Sequence, residues 1–215
     1  MKKYNCLFFD LDGTLTDSSE GIINSIIYAL EKMNVDIKDK AILKKFVGPP
    51  LMDSYKKYYG FNQEEAELGL KLFREYFSVK GIFENRLFDG IYDLLEQLYN
   101  AGVELVLATS KPDVYAEQIL EHFGIKKFFT HISACPMEEA DTTKLDIIKG
   151  ALKMTSVKNK EEILMIGDTF LDVNGAKECG LDSIGILYGT DGPEELKVAT
   201  YIAKDVEELK NILIK

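Results

Sequence analysis

Two carboxylates, Asp10 and Asp12, stand two residues apart at the end of an apolar run, and this pair is the part of the chain best suited to chemistry. Residues 6–9 are all apolar, and Gly13 interrupts the pattern after the second acid. This pattern indicates a buried strand that ends in a polar loop. Side chains at positions i and i+2 of an extended chain point the same way, so the two carboxylates repel each other unless a cation or a shared proton lies between them. The sequence therefore predicts such a site where the first strand ends.

Polar side chains also follow two later apolar runs. Thr109 and Ser110 come directly after one of them, and Asp168 and Asp172 come after the other. In an open α/β sheet, ligands bind beyond the carboxyl ends of the strands. We therefore expect these hydroxyl and carboxylate groups to gather with the first two acids at one edge of a sheet.

Strands and helices alternate from residue 88 onward, and the strands are apolar runs rather than alternating patterns. This arrangement is typical of an α/β domain whose parallel sheet is covered by helices on both faces. Strands are expected at 103–108, 128–134, 163–166 and 183–187, and helices at 89–100, 112–123, 142–154, 171–179 and 205–214.

The segment between the first strand and this α/β half predicts helices only. They are expected at 18–34, 38–46, 50–59 and 63–79. Because the first strand belongs with the α/β half, the helical segment interrupts that domain. The predicted domains are therefore an α/β core at 1–15 and 86–215 and a helical insert at 16–85.

Composition and charge narrow the class of protein. The 215 residues include 26 basic and 36 acidic ones, a formal net charge of −10, which argues against nucleic acid or an anionic membrane as a partner. No apolar stretch is long enough to span a membrane, and the apolar run before Asp10 is too short for a signal-peptide core, so we expect a cytoplasmic protein. Two histidines exclude a three-histidine metal site, and three widely spaced cysteines suggest neither a zinc site nor a disulfide framework.

Four segments together resemble the motifs of the haloacid dehalogenase superfamily of phosphohydrolases. Residues 10–14 (Asp-Leu-Asp-Gly-Thr) match its first motif, and Thr109 matches the second, a hydroxyl residue that closes an apolar strand. Lys144 is the best match to the third motif, and residues 167–172 match the fourth, GDxxxD. The helical insert stands where type-1 capped, phosphoglycolate phosphatase-like members carry their cap. The resemblance covers essentially the whole chain and implies a Rossmann-like doubly wound parallel sheet with a cap after the first strand.

The resemblance implies a Mg²⁺-dependent reaction at a phosphate ester. Asp10 would attack phosphorus and form an aspartyl-phosphate, and Asp12 would protonate the leaving alkoxide and then take a proton from the hydrolytic water. Mg²⁺ would be bound by Asp10, Asp168 and the backbone carbonyl of Asp12. The metal is needed because a negatively charged nucleophile reaches a phosphate ester only where the charge is screened.

The resemblance also implies a set of groups that hold the phosphate. Thr109, the Ser110 amide and the Lys144 ammonium would neutralise its oxygens. Asp172 would hold a metal-bound water or orient Lys144. The family usually has Lys-Pro at the third motif, whereas a leucine follows Lys144 here, and Lys111 stands close enough in the sequence to compete for the role.

Local structural roles remain open for several of these residues. The two acids of the first motif could serve loop solvation and an Asx-turn. Asp168 or Thr169 could cap the helix that follows, and Asp172 could favour the dipole of that helix from its first turn. Ser110 could cap the helix that begins near Pro112.

The helical insert contains fewer informative residues. Residues 46–51 (Phe-Val-Gly-Pro-Pro-Leu) resemble the cap loop that faces the active site in phosphoglycolate phosphatase-like members. Tyr55, Tyr58 and Tyr59 could line a substrate pocket, or they could pack inside the insert at helical spacing.

The predicted function is hydrolysis of a small-molecule phosphate monoester such as phosphoglycolate, by a monomer or weak homodimer. An acid at the position of Asp12 favours transfer of a phosphoryl group from oxygen, since the resemblance implies that the dehalogenase and phosphonatase branches lack it. The alternatives within the family are a 5'-nucleotidase-type nucleoside monophosphate phosphatase and a β-phosphoglucomutase-like sugar phosphomutase. A phospho-accepting signalling module, similar to response-regulator receivers, is the non-enzyme alternative, and the two acidic motifs and the insert disfavour it.

Overall fold

The structure, a computed structural model, describes residues 3–37, 39–137 and 142–214. The chain divides into two compact units. Met1–Thr16 and Leu87–Lys215 form one of them, called the α/β unit below, and Asp17–Arg86 forms the other, called the helical unit. Within the described residues, no helix combines the length and the apolar character that crossing a bilayer requires.

Strands and helices alternate through the α/β unit, and helices dominate the helical unit. In chain order the elements are β1 (Cys6–Phe9), β2 (Thr16–Asp17), α1 (Ser19–Lys32), α2 (Lys40–Lys44), α3 (Leu51–Tyr59), α4 (Gln63–Tyr76), β3 (Arg86–Leu87), α5 (Ile91–Asn100), β4 (Glu104–Pro112), α6 (Asp113–His122), β5 (His131–Cys135), α7 (Lys144–Met154), β6 (Ile163–Gly167), α8 (Phe170–Glu178), β7 (Asp182–Ile186), β8 (Tyr201–Ala203) and α9 (Val206–Leu213).

A six-stranded sheet in the order β5-β4-β1-β6-β7-β8 forms the centre of the α/β unit. Every neighbouring pair in it is parallel. In this register Phe9, at the end of β1, lies between Leu107 of β4 and Ile166 of β6. The predicted α/β class and the doubly wound parallel sheet are therefore confirmed, and the residues that follow these three positions lie at one edge of the sheet.

Helices cover the strands, which explains why the strands are apolar runs. On one face, Phe8, Val106 and Met165 belong to a buried cluster with Ile148 of α7 and Ala176 of α8. All four residues of β1 are buried. A strand buried on both sides has no polar face, so it lacks the alternating pattern of a half-exposed strand.

The two-residue strands β2 and β3 were not expected, and three strands of the six-stranded sheet also differ from the sequence-based expectation. β8 was not expected, because it has only three residues and Ala203 alone among them is buried. β4 continues to Pro112, and its pairing with β5 shifts register between Thr109 and Pro112. β5 begins at His131, later than expected, because Lys126–Phe128 forms a 3-10 turn.

The helical unit contains four helices, and α4 continues into a π-helical turn at Phe77–Gly81. The carboxamide of Asn62 accepts a hydrogen bond from the Glu65 amide, and the Glu65 carboxylate accepts one from the Asn62 amide, so a capping box begins α4. The predicted start of the second helix at Lys38 lies outside the described residues.

Aromatic side chains fill the space beside α3. Tyr55 is fully buried, stacks on Phe61 with ring centroids 5.6 Å apart, and meets Phe46 edge-on at 5.2 Å. Tyr58 and Tyr59 also lie against Phe46. These contacts support the packing alternative for the three tyrosines.

A close backbone approach joins α1 to the π-helical turn. The Gly21 amide donates a hydrogen bond to the Glu84 carbonyl, and a Cβ at Gly21 would lie 1.9 Å from the carbonyl oxygen of Gly81. No side chain fits at position 21 unless the backbone moves, so glycine is required there.

We predict that Gly21→Ala destabilises the protein by about 1–3 kcal/mol, the usual effect of forcing an extra carbon into a packed site. Urea unfolding measures the effect as a lower midpoint. Glu31→Ala, an exposed change near the end of the same helix, should stay within about 0.5 kcal/mol of the wild type. Equal midpoints for the two variants would contradict the prediction.

Candidate active site

Asp10 occupies the first position beyond β1, at the edge where the parallel strands end. Its amide donates a hydrogen bond of 2.9 Å to the Ile166 carbonyl of β6, and the residue is only 7% exposed. The chain then turns sharply, because the Gly13 amide donates to the Thr16 carbonyl. Gly13 has φ +81°, and a Cβ there would lie 2.0 Å from an oxygen of Asp168, so this glycine permits both the turn and the close approach.

Asp168 lies directly beyond β6 and is fully buried. Its Oδ1 accepts a hydrogen bond of 3.0 Å from the Thr14 hydroxyl, and its Oδ2 accepts one of 2.8 Å from the Thr190 amide. A Cβ at Gly189 would lie 2.3 Å from the Asp168 Cβ. The carboxylate is therefore held from two sides, and it does not cap the following helix.

Lys144, the first residue of α7, brings a buried ammonium group to the acids. Its Nζ lies 2.5 Å from Asp10 Oδ1 and 2.7 Å from Asp172 Oδ1, and it donates a further hydrogen bond to the Ala108 carbonyl. The Thr143 hydroxyl caps α7 by accepting from the Asp146 amide, which places Lys144 in the first turn. Lys144 is therefore the candidate lysine that contacts Asp10.

Asp172 has two sets of contacts. Its Oδ2 accepts hydrogen bonds from the Thr169 amide at 3.0 Å and from the Thr169 hydroxyl at 2.6 Å, so Thr169 and Asp172 together begin α8. Its other oxygen faces Lys144. The helix-start role and the lysine-orienting role, which were alternatives in the sequence, are therefore both compatible with the geometry.

Thr109 and Ser110 lie near the end of β4 but differ in exposure. Thr109 is buried, and its hydroxyl accepts a hydrogen bond of 3.2 Å from the Lys111 amide. Ser110 is exposed. Helix α6 begins after Pro112 without a side-chain cap, so Ser110 does not cap it.

Asp12 lies near the same edge and contacts the second lysine. Lys111 Nζ lies 2.7 Å from Asp12 Oδ2. The two lysines thus contact different acids, Lys144 the acid at position 10 and Lys111 the acid at position 12.

Burial and like charges shift the pKa values of the central acids. Burial, reinforced by the nearby Asp172, raises the pKa of Asp10 to about 6 even though Lys144 opposes the shift. Burial and the charges of Asp10 and Asp172 raise the pKa of Asp168 to about 8. Burial alone would lower the pKa of Lys144, but the charges of Asp10 and Asp172 outweigh it and hold that pKa above its usual value.

The carboxylates fit a hard divalent cation. Oxygen atoms of Asp10, Asp168 and Asp172 lie within 4.8 Å of one another, and all three residues are buried. One ammonium, that of Lys144, faces two of these three acids, so a negative charge remains uncompensated in a buried place. Hard divalent cations prefer carboxylate and carbonyl oxygens as ligands, so this set of donors fits such a cation. Asp172, expected from the resemblance to hold a metal-bound water or orient Lys144, is the third carboxylate of this cluster.

Several residues of the site were not singled out in the sequence. They lie in the turn after β1 or in the loop after β7. The Tyr188 hydroxyl donates a hydrogen bond to the Thr14 carbonyl, and the Asp191 carboxylate accepts one from the Phe170 amide. The loop after β7 begins at the same sheet edge as the acids, and that placement was the signal available to find it.

We predict that Mg²⁺ stabilises the protein more at about pH 8 than at about pH 5. Asp10 and Asp168 have folded-state pKa values above the unfolded value of about 3.9, so their contribution to stability is complete below about pH 4 and is lost as the pH rises through about 6 and about 8. Bound Mg²⁺ requires the ionised carboxylates and offsets this loss. At 100 times its dissociation constant it should add about 2.7 kcal/mol.

Thermal unfolding with EDTA and with Mg²⁺ at the two pH values measures this difference. Asp168→Asn, which removes one charged ligand, should abolish most of the rise in Tm that Mg²⁺ causes at about pH 8. An equal shift in Tm at both pH values would contradict the prediction.

Comparison with known proteins places this geometry in a family. Residues 7–186 match the haloacid dehalogenase-like hydrolase family. A 5'-nucleotidase from Pseudomonas aeruginosa is 39% identical over 213 residues, which cover 98% of this chain and 96% of that protein. The tyrosine-protein kinase PtkA from Mycobacterium tuberculosis is 35% identical over 211 residues, which cover 96% of this chain and 72% of that protein.

A solved structure supports the same relationship. The crystal structure of a predicted phosphatase from Clostridium acetobutylicum is 44% identical, matches with a TM-score of 0.90, and covers 98% of each chain. The family match extends from β1 to the end of β7 and so contains the two lysines and the four acids Asp10, Asp12, Asp168 and Asp172. The chain therefore belongs to the haloacid dehalogenase-like hydrolase family.

Proposed function

We propose that this phosphoric monoester hydrolase is a Mg²⁺-dependent phosphatase that works through an aspartyl-phosphate on Asp10. One observation carries the proposal: the buried Asp10 carboxylate lies in a cluster of acids, 2.5 Å from the Lys144 ammonium. A carboxylate held at a strand end, beside both a cation-binding set and a fixed positive charge, is equipped to attack a phosphate ester.

The nucleophile and the metal ligands share one place. Asp10, Asp168 and the backbone carbonyl of Asp12 would hold Mg²⁺, which when bound screens the charge between carboxylate and phosphate and orients the phosphoryl group. The hydrogen bonds from Thr14 and Thr190 keep Asp168 in position without a metal. Asp172 orients Lys144 by its 2.7 Å contact with the ammonium.

Three groups at the same edge of the sheet bind the phosphate oxygens. The Lys144 ammonium, the Thr109 hydroxyl and the Ser110 amide supply positive charge and hydrogen-bond donors as charge develops on the transferring group. Asp12 protonates the leaving oxygen as the ester bond breaks, and then takes a proton from the water that attacks the aspartyl-phosphate.

The two units have separate tasks in this proposal. Residues 1–15 and 86–215 form the catalytic core, which contains all the groups named above, and residues 16–85 form a cap that selects the substrate. The helical unit Asp17–Arg86, whose bounds lie one residue from the proposed ones, supports this division. We also propose that the enzyme acts in the cytoplasm as a monomer or weak homodimer.

We propose a nucleoside monophosphate as the substrate, ahead of the small phosphorylated acid that the sequence alone favoured. The 39% identity to a 5'-nucleotidase over almost the whole of both chains supports this choice. A phosphoglycolate-like acid remains the second candidate, supported by the resemblance of residues 46–51 to the corresponding cap loop.

We predict that Asp10→Asn abolishes Mg²⁺-dependent release of phosphate from p-nitrophenyl phosphate, with a fall in kcat of at least about 10⁴-fold, because the nucleophile is lost. Asp12→Asn should lower kcat by about 10²–10⁴-fold. The exposed Asp93→Asn serves as the matched control and should keep wild-type kinetics. Undiminished turnover in Asp10→Asn would defeat the proposed mechanism.

A panel of phosphate esters tests the substrate. We predict the highest kcat/KM for a nucleoside 5'-monophosphate, a lower value for 2-phosphoglycolate, and little activity toward a hexose phosphate. Preference for phosphoglycolate would restore the second candidate. Isomerisation of a hexose 1-phosphate without release of phosphate, or transfer of phosphate from ATP to a tyrosine peptide, would overturn the phosphatase assignment.

A further inference from the structure

We propose that Lys111 is a positioning residue for the second half of the reaction, in which it holds Asp12 as an oriented carboxylate ready to take a proton from the hydrolytic water. This inference rests on the proposed function, since it assumes that an aspartyl-phosphate forms on Asp10.

The contact itself is close and enclosed. Lys111 Nζ lies 2.7 Å from Asp12 Oδ2, and the side chains are 5% and 23% exposed. The two residues are 99 positions apart in the chain, so the contact is a product of the tertiary fold. A lysine as little exposed as this loses hydration, and an ionised partner offsets that loss.

The irregular end of β4 brings Lys111 inward. Pairing between β4 and β5 shifts register after Thr109 and resumes at Pro112. Within this irregular segment the Thr109 hydroxyl accepts a hydrogen bond from the Lys111 amide. In this segment Ser110 is exposed while Lys111 is buried. A register shift that re-aims a side chain beside a site is a recurrent use of such irregularities.

The two oxygens of Asp12 have different surroundings. Oδ2 faces the ammonium, whereas Oδ1 is buried and has no hydrogen-bond partner among the residues that the structure describes. Fixing one oxygen of a carboxylate fixes its plane, and therefore fixes where the other oxygen lies. Oδ1 is the atom left to accept a proton.

The contact with Lys111 bears most on the hydrolytic step. The base of that step must aim one oxygen at the attacking water, and the contact fixes the direction of the Asp12 carboxylate. In that step the oxygen of water bonds to phosphorus, the bond from phosphorus to the Asp10 oxygen breaks, and the proton of water passes to Asp12. The Asp10 carboxylate is regenerated.

Rapid-mixing kinetics with p-nitrophenyl phosphate and Mg²⁺ separate the two steps. The p-nitrophenolate group leaves readily without protonation, so formation of the aspartyl-phosphate depends little on Asp12, whereas its hydrolysis depends on the base. We expect Lys111→Met to give a rapid burst of p-nitrophenolate, followed by a steady-state rate about 100-fold below the wild type, the scale of loss when a reacting group is misplaced. Intact-mass measurement during turnover should find the protein phosphorylated.

Three further variants complete the test. Lys111→Arg, which keeps the charge, should recover much of the steady-state rate. Lys126→Met, which removes a partly exposed lysine paired with Glu117 and Glu121, should behave as the wild type. Adding Lys111→Met to Asp12→Asn should have no further effect on the steady-state rate, because both changes remove the same function.

The outcomes distinguish this inference from the proposed function. If Lys111→Met and Lys111→Arg both lower the burst and the steady-state rate together, or if Lys111→Met changes neither, the positioning role is wrong. If the wild type releases no phosphate and Asp12→Asn is never phosphorylated on Asp10, the proposed function itself fails. Lys111→Arg provides a conservative variant for the comparison if Lys111→Met does not fold.

Discussion

Three buried carboxylates, those of Asp10, Asp168 and Asp172, lie together beside the buried ammonium of Lys144. Burying charge of one sign is costly unless it is paired or bound to a metal, so this cluster is a constraint that the surrounding structure must satisfy. Hydrogen bonds from Thr14, Thr169 and Thr190 to the carboxylates offset part of the cost of burying them. The remaining negative charge is what makes the site suited to a divalent cation.

The parallel sheet makes this concentration of charge possible. β1 and β6 are apolar and buried along their whole length, so their first polar side chains come where the strands end. The aligned register of β1, β4 and β6 brings these ends to one edge. Residues from distant parts of the chain therefore meet at this edge. Small residues complete the arrangement, since Gly13 and Gly189 stand where a side chain would collide with Asp168.

Two lysines contact different acids of the first motif. Lys144 lies against the acid proposed as the nucleophile, and Lys111 lies against the acid proposed to move protons. A single lysine between the two acids would couple their charges, whereas separate partners allow each carboxylate its own orientation. Both lysines lie near the start of a helix, Lys144 in the capped first turn of α7 and Lys111 just before α6.

The sequence by itself determined the fold class, the interruption of the α/β half by helices, and the acids and hydroxyls at the strand ends, because periodicity and the position of a residue after a strand are local properties. It also predicted Lys144 from a motif match, although it left Lys111 as a competitor. The tertiary structure decided which acid each lysine contacts. The shift of register in β4 sets the direction of the Lys111 side chain, and the capped start of α7 sets that of Lys144. It alone revealed the loop after β7 that holds Asp168, since a hydrogen bond between positions 168 and 190 depends on how β6 and β7 pair and leaves no periodic signal in the chain.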